Sequence, residues 1–422
     1  MSQALRILIA LVAGLLLGIA LANGAPGPGG YLLVATKLIG GAWLHGLQMV
    51  IVPLVVALLV IGIAASVEAA RAGRIAGRAL LFFVVILWVN TIVSAFLTPL
   101  LLRLFPLPTG ADALRASLKS AAVEGQIPSL LDFFAKIIPT NIVEAAATDS
   151  YLPLTVFALV FAFAITRLKP APRKLLVDLF QAIADAMIMI IGWVLLLAPI
   201  GVFCLAFGLG METGAAAFGA LAHYIAIVSS LGILVLLSAY PLAMIGARVS
   251  FGRFAKAVLP SQVVAISTSS SLASLPAMLR SSEALGAPAS VSGVVLPIAV
   301  AVFRATSPAM NLAVALYVAH LTGTPIGPGQ LAAGIATAAI TTMGSVSLPG
   351  TISFFASVAP VAVAMGVPIE ALGLLVAVET VPDLFRTLGN VTMDVAVTAT
   401  ISARSGGGDA GETDRMLEEI PG

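Results

Sequence analysis

Along most of the chain, polar positions are scarce and gather in short clusters between long apolar runs. Runs long enough to cross lipid as helices lie at about 5–24, 39–66, 79–102, 151–166, 175–209, 217–247, 287–320 and 367–400. About 20 mostly apolar residues span the hydrocarbon layer as a helix, so the pattern predicts an all-α polytopic membrane protein. The opening MSQALRILIALVAGLLLGIALANG has the length of a targeting segment and of a span. Because a polytopic chain follows, it reads as a retained first span.

Two stretches break the pattern. Residues 253–286 carry apolar arms around STSSSLASLP, with basic residues at both ends. That tip is too polar to cross lipid as a helix, and the pattern describes a re-entrant hairpin. Residues 328–365 repeat the form around TTMGSVSLPGTIS without a basic residue at either end, so they enter from the opposite side. Two broken segments of opposite sense, each followed by a full span, predict inverted repeats around a midplane site. The alternative is a pair of short helices joined by a surface loop. Pro276 and Pro349, near the tips of the apolar arms, count against it.

Composition narrows the picture. The 422 residues are 60% hydrophobic and 9% charged, with mean hydropathy +1.12. Soluble domains carry about 25% charged residues, so lipid is the solvent for much of this surface. A net charge of +2 gives no support to nucleic-acid binding. Cys204 is the single cysteine, which excludes an intrachain disulfide framework. Basic residues concentrate in 71–78, 167–174 and 248–256, with Arg6, Arg280, Arg404 and Arg415; the alternating loops hold only Lys37, Arg103, Arg115 and Lys119. The positive-inside rule places the first set, and both termini, in the cytoplasm. The Gly-rich polar tail, 403–422, is expected to be disordered.

The most informative stretch is PDLFRTLGNVTMD, residues 382–394. Helical spacing puts Asp383, Arg386, Thr387, Asn390 and Asp394 on one face, and Glu379 extends the stripe. Ionisable groups inside a membrane usually face a cavity and serve function. Arg386 offers a planar fork to a carboxylate, and Asp383, about one turn away, suits an ammonium. Together they fit a zwitterion with an extra carboxylate, such as aspartate or glutamate. The alternative is a structural Asp383–Arg386 ion pair. Thr387 and Asn390 add neutral hydrogen bonds.

At this point the chain resembles the dicarboxylate/amino acid:cation symporter family, with its glutamate transporter-like fold. HGLQMVIVPLVVALLVIGIAAS resembles that family's second helix, STSSSLASLP its first hairpin tip, SLPG its second, and PDLFRTLGNVTMD its eighth-helix motif. The resemblance implies two re-entrant hairpins beside eight transmembrane helices, a homotrimer and an elevator-like mechanism. Residues 1–247 would be mainly scaffold, with helices 3 and 6 joining the transport domain. The transport core would be 253–402: hairpin 253–286, helix 287–320, hairpin 328–365 and helix 367–402. The implied substrate ligands are Ser270, Ser271, Ser307, Ser347, Leu348, Asp383, Arg386, Thr387 and Asn390, with Asn390 on the α-carboxylate. Asn390, Asp394 and backbone groups at Thr342, Met343 and Ser345 match sodium sites; oxygen donors of this kind suit hard cations.

One motif departs. Where the family carries N-M-D-G-T, this chain reads FRATS: Phe303, Arg304, Ala305, Thr306, Ser307. Two oxygen ligands are lost and a cation appears, while Ser307 keeps a hydroxyl. Asn90 and Thr91 fall near the family's remaining sodium-binding hydroxyls. Arg304 is expected to reach Asp394 or Glu379 as a tethered positive charge. The alternative is that it snorkels or pairs elsewhere. Sodium coupling is thereby weakened, and proton coupling through Glu379 or Asp394, or uncoupled exchange, stays open. No enzyme is expected: Ser269, Ser270 and Ser271 lack a histidine at partner spacing, and no phosphate loop of the G-x-x-x-x-G-K type occurs. The rival reading is a transporter-like sensor, or a degenerate paralogue that binds without coupled flux. No cofactor is expected beyond a coupling ion, sodium or proton, and the expected location is the cell inner membrane.

Overall fold

The computed structural model describes residues 3–22, 28–71, 74–108, 138–147, 151–213, 216–344 and 351–404. Seventeen helices and no strand occur among them. The first four are α1 (Gln3–Ala22), α2 (Pro28–Gln48), α3 (Ile51–Arg71) and α4 (Arg74–Leu104). The short α5 (Ile142–Ala147) precedes α6 (Tyr151–Arg167), α7 (Pro170–Leu196), α8 (Ala198–Thr213) and α9 (Ala216–Gly246). The second half holds α10 (Phe251–Thr268), α11 (Leu275–Ala284), α12 (Ala289–Val302), α13 (Ser307–Thr322), α14 (Pro328–Gly344), α15 (Thr351–Ala364), the one-turn α16 (Leu372–Leu375) and α17 (Thr380–Arg404). Among the described residues, five helical segments are long and apolar enough, by length and composition, to cross a membrane: 31–64, 74–104, 170–196, 218–246 and 289–322.

Several expected spans are divided. The run 175–209 breaks at Leu197, because Pro199 has no N–H to continue the ladder, and the run 39–66 turns at 49–50 ahead of Pro53. The run 287–320 unwinds over 303–306 between α12 and α13. The last run is helical for one turn, α16, and then continuously from Thr380; residues 376–379 form turns, so Glu379 precedes the long helix rather than lying on it. Its carbonyl accepts the Asp383 N–H at 2.8 Å, which keeps the stripe of polar side chains in register. The first hairpin takes the expected form, α10 and α11 around a tip at 269–274. The tip of the second, 345–350, lies outside the described residues, and so do Ser345, Ser347, Leu348, Pro349 and the tail beyond Arg404.

Polarity runs inside out. Large apolar side chains face outward on α2, α4 and α7: Leu38 is 75% exposed, Phe96 72% and Leu175 70%. In contrast α13 and α17 are buried along most of their length and carry the polar side chains. Helices approach closely where glycine allows. Gly14 and Gly18 on α1 form a small-xxx-small pair facing α8. A Cβ at Gly14 would lie 2.5 Å from the Phe203 carbonyl, and one at Gly18 would overlap the Phe207 carbonyl. Such contacts replace the hydrophobic effect, which lipid does not supply between helices. The ring of His223 on α9 donates through Nε2 to the Phe105 carbonyl at 2.9 Å and lies 3.2 Å from the Tyr317 hydroxyl. It ties together one end of α4, α9 and α13.

Gly18→Leu is expected to destabilise the fold by ~1–3 kcal/mol or more, the usual cost of overpacking. Gly192→Leu, at a position with nothing within 4 Å, is expected to be nearly neutral. Thermal unfolding of both variants in detergent is the check; equal losses would contradict the α1–α8 packing.

Candidate functional site

The unwound stretch 303–306 is the frame of the site. A broken helix leaves backbone groups that must be satisfied. Here side chains from two neighbouring helices supply the bonds. Asn90 on α4 donates through Nδ2 to the Ala305 carbonyl at 2.9 Å. The Oδ1 of Asn390 on α17 accepts the Thr306 N–H at 2.9 Å and lies 2.7 Å from the Thr306 hydroxyl. That hydroxyl is also 2.8 Å from the Arg386 carbonyl. Ser94, one turn past Asn90, donates to the Ala309 carbonyl at 2.6 Å. Thr91 instead bonds back to Leu87 within its own helix and takes no part in the break. Phe303 is buried and stacks on Phe83 of α4, with centroids 4.3 Å apart and planes 11° from parallel.

Beside this frame lies a buried ionic cluster. The Nη2 of Arg386 donates to Glu379 Oε1 at 2.6 Å, and Nη1 donates to Asn311 Oδ1 at 2.6 Å. Its Nε is 3.5 Å from Asp383 Oδ1. The Tyr224 hydroxyl of α9 donates to the other oxygen of Glu379 at 2.8 Å. The Arg386 and Glu379 side chains are 3% and 1% exposed, so almost no water helps to solvate either charge. Asn311 lies 3.4 Å from the Ser357 carbonyl through its amide nitrogen, which connects the cluster to α15. Arg304 is also buried. Thr387 is buried next to Arg386.

Asp394 is different. It is 1% exposed, and neither carboxylate oxygen has a hydrogen-bond partner. Of the two partners expected for Arg304, Asp394 or Glu379, Asp394 is not hydrogen-bonded to it. Buried ions are costly unless paired, so two orphaned oxygens fit a hard cation or a proton. The Ser307 hydroxyl is buried and also lacks a partner. The Oδ1 of Asn390 is engaged by Thr306, which leaves its amide Nδ2 as the group to offer a carboxylate. The Thr342 hydroxyl bonds the Ala338 carbonyl at 2.7 Å, and Met343 follows it on α14. No cluster of three His, Cys, Asp or Glu suited to a metal occurs among the described residues.

At the first hairpin tip, Ser269 adopts a left-handed backbone with φ 48°. The Ser270 hydroxyl accepts the Ala273 N–H at 3.2 Å and the Ser270 carbonyl accepts the Ser274 hydroxyl at 2.9 Å, so Ser270 shapes the tip. Ser271 is buried. Among the described residues neither serine bonds to Arg386 or Asp383; the hairpin meets α17 through Gln262, which donates to Thr392 at 3.0 Å. Reading the sequence missed Tyr224, Asn311 and Gln262 as members of this constellation. A lone amide in the apolar run MNLAVALY was the available signal for Asn311.

A family model described as "Sodium:dicarboxylate symporter family" matches residues 4–404. The chain belongs to that family. Sodium:dicarboxylate symporter family members are transporters rather than enzymes, and this chain is an integral membrane protein. It is 28% identical to the "Proton/glutamate-aspartate symporter" of Escherichia coli (strain K12), across 92% of this chain and 90% of that one. It is 26% identical to the "C4-dicarboxylate transport protein" of Deinococcus radiodurans, across 99% and 92%. It is 30% identical to the "Neutral amino acid transporter B(0)" of Oryctolagus cuniculus, across 92% and 77%.

Removing one member of a buried pair typically costs 3–5 kcal/mol, more than removing both. Arg386→Met is therefore expected to lower stability by about that amount, and the Arg386→Met/Glu379→Gln double variant is expected to recover much of it. A double-mutant cycle by unfolding in detergent measures the coupling; simple additivity would contradict the ion pair.

Proposed function

We propose that this symporter-family protein carries acidic amino acids or C4-dicarboxylates across the cell inner membrane, with a proton as the main coupling ion. The observation that supports this most is the Arg386 guanidinium, held at 2.6 Å by Glu379. In this reading a substrate's distal carboxylate takes the place of the Glu379 oxygen on Arg386. Asp383 meets the substrate ammonium, and the Asn390 amide and Thr387 meet the α-carboxylate region. Ser270, Ser271 and Ser307, with Ser347 and Leu348 of the second tip, complete the enclosure. A displaced Glu379 keeps only the Tyr224 hydroxyl. A buried carboxylate so poorly partnered is neutralised most simply by a proton, so one proton enters with each substrate.

The replaced motif supports the same coupling. Phe303 and Ala305 offer no side-chain oxygen, and Asn90 already occupies the Ala305 carbonyl. Asp394 keeps two open oxygens that would hold a sodium ion or a proton, with Asn390 and the carbonyls near Thr342, Met343 and Ser345 nearest in the family pattern. Transport would proceed by an elevator movement of 253–402, together with helices 3 and 6, against the remaining scaffold of 1–247 in a homotrimer, with both termini cytoplasmic. The second reading, a sensor or degenerate paralogue that binds without flux, is favoured only by the same motif replacement. Uptake of labelled aspartate and succinate into liposomes, with pH and sodium varied, separates the two. Accumulation driven by a pH gradient is expected; binding without accumulation would establish the sensor.

Arg386→Ala is expected to lower affinity for acidic substrates by ~30-fold or more, the typical consequence of truncating a buried charge contact worth 2–5 kcal/mol. Retention within a few-fold would refute the role given to Arg386 and would bring neutral amino acids forward. Asp383→Asn is expected to impair aspartate uptake more than succinate uptake. Equal loss of both would mark Asp383 as structural. The triple variant Phe303→Asn/Arg304→Met/Ala305→Asp, which rebuilds two oxygen ligands and removes the tethered charge, is expected to gain sodium dependence. A native protein with steep sodium dependence, or a folded and binding triple variant indifferent to sodium, would contradict this coupling.

A further inference from the structure

A cavity far from the ionic cluster lies where the ends of α3, α6 and α7 converge. It has a volume of about 320 Å³ and is walled by Ala64 and Val67 of α3, Thr166 of α6, and Arg173, Lys174 and Asp178 of α7, among others. The α6–α7 connection is only two residues long, 168–169, so the cavity sits at the boundary between the apolar spans and water. The end of α6 and this connection are basic, with Arg167 and Lys169. The cations here are largely uncommitted. The side chains of Arg167, Lys169 and Arg173 have no hydrogen-bond or ionic partner among the described residues. Lys174 is held 2.7 Å from Asp178, and both are largely exposed, so that pair is weak and exchangeable. Below the basic end, α6 exposes Val160 and Phe163, and α7 exposes Leu175 and Leu179. These apolar stripes run away from the cavity into the membrane.

An anion-sized hollow with the uncommitted Arg173 guanidinium in its wall, above lanes of exposed aliphatic and aromatic side chains, matches one chemistry: a phosphate with acyl chains attached. We propose that this cavity is a headgroup site for an anionic phospholipid. Arg173, in the cavity wall, gives the bidentate phosphate contact. Arg167 and Lys169 add positive potential, and Val160, Phe163, Leu175 and Leu179 carry the chains. Basic pockets between membrane helices hold anionic headgroups in this way, with each cation near the surface worth about 1 kcal/mol.

The test is a titration of the delipidated full-length protein in detergent, with bound lipid counted by native mass spectrometry. The probes are dioleoyl-phosphatidylglycerol, dioleoyl-phosphatidylcholine and inorganic phosphate. Phosphatidylglycerol is expected to bind at least tenfold more tightly than phosphatidylcholine, and millimolar phosphate is not expected to displace it. The triple variant Arg167→Gln/Lys169→Gln/Arg173→Gln is expected to lose roughly fivefold in affinity per cation removed. A control triple with the same loss of charge, Arg248→Gln/Arg253→Gln/Lys256→Gln, is expected to retain it. Equal binding of the two lipids, unchanged affinity in the first triple, or equal losses in both triples would overturn the proposal, the last by showing diffuse charge attraction. Displacement by millimolar phosphate would also overturn it, in favour of a free-anion site. If the first triple does not fold, Arg173→Gln alone is read by the same criteria.

Discussion

A guanidinium with almost no access to water needs a full set of partners, and the interior of this protein is arranged around meeting that need at Arg386. Desolvation of each ion in a buried pair costs several kcal/mol. Here the cost is offset by bonds from Glu379 and Asn311 at 2.6 Å each, by Asp383 nearby, and by Tyr224 on the far side of Glu379. These residues come from α9, α13 and α17 and from the turn before α17. Asn311 extends the network to α15. Anything that changes what Arg386 binds is therefore felt on four helices, including one arm of the second hairpin. A site that exchanges an internal carboxylate for a substrate's has this property built in.

The helix break between α12 and α13 shows a second constraint at work. Unwound backbone inside a membrane must be satisfied by something. In this protein the donors and acceptors are amides on α4 and α17, chiefly Asn90 and Asn390. Phe303 fills the neighbouring space by stacking on Phe83. The break is closed by covalently attached groups, while both oxygens of Asp394 and the Ser307 hydroxyl are buried without a hydrogen-bond partner.

Much of this was legible in the sequence, and the limits have physical causes. The helical class and the first hairpin followed from long apolar runs and the STSSSLASLP interruption, because lipid permits few alternatives. The stripe from Asp383 to Asp394 was readable because helical periodicity puts those positions on one face. Pairing was not readable. Spacing favoured Asp383 as the partner of Arg386, yet Glu379, seven positions away, takes the shorter contact; the turns at 376–379 fold it back over the guanidinium. Arg304 was expected to reach Asp394 or Glu379, but the direction of a side chain leaving an unwound segment follows no period. Tyr224 and Asn311 looked like ordinary members of apolar spans, and only tertiary packing brings them to the cluster.

The proposed carboxylate exchange at Arg386 is tested most directly by counting protons during substrate binding. Calorimetric titration of the purified protein with aspartate, repeated in buffers of different ionisation enthalpy at one pH and without sodium, gives the number taken up. Close to one proton per aspartate is expected for the native chain, and close to none for Glu379→Gln, which still binds. No proton uptake by the native protein, or the same uptake in the variant, would contradict the exchange.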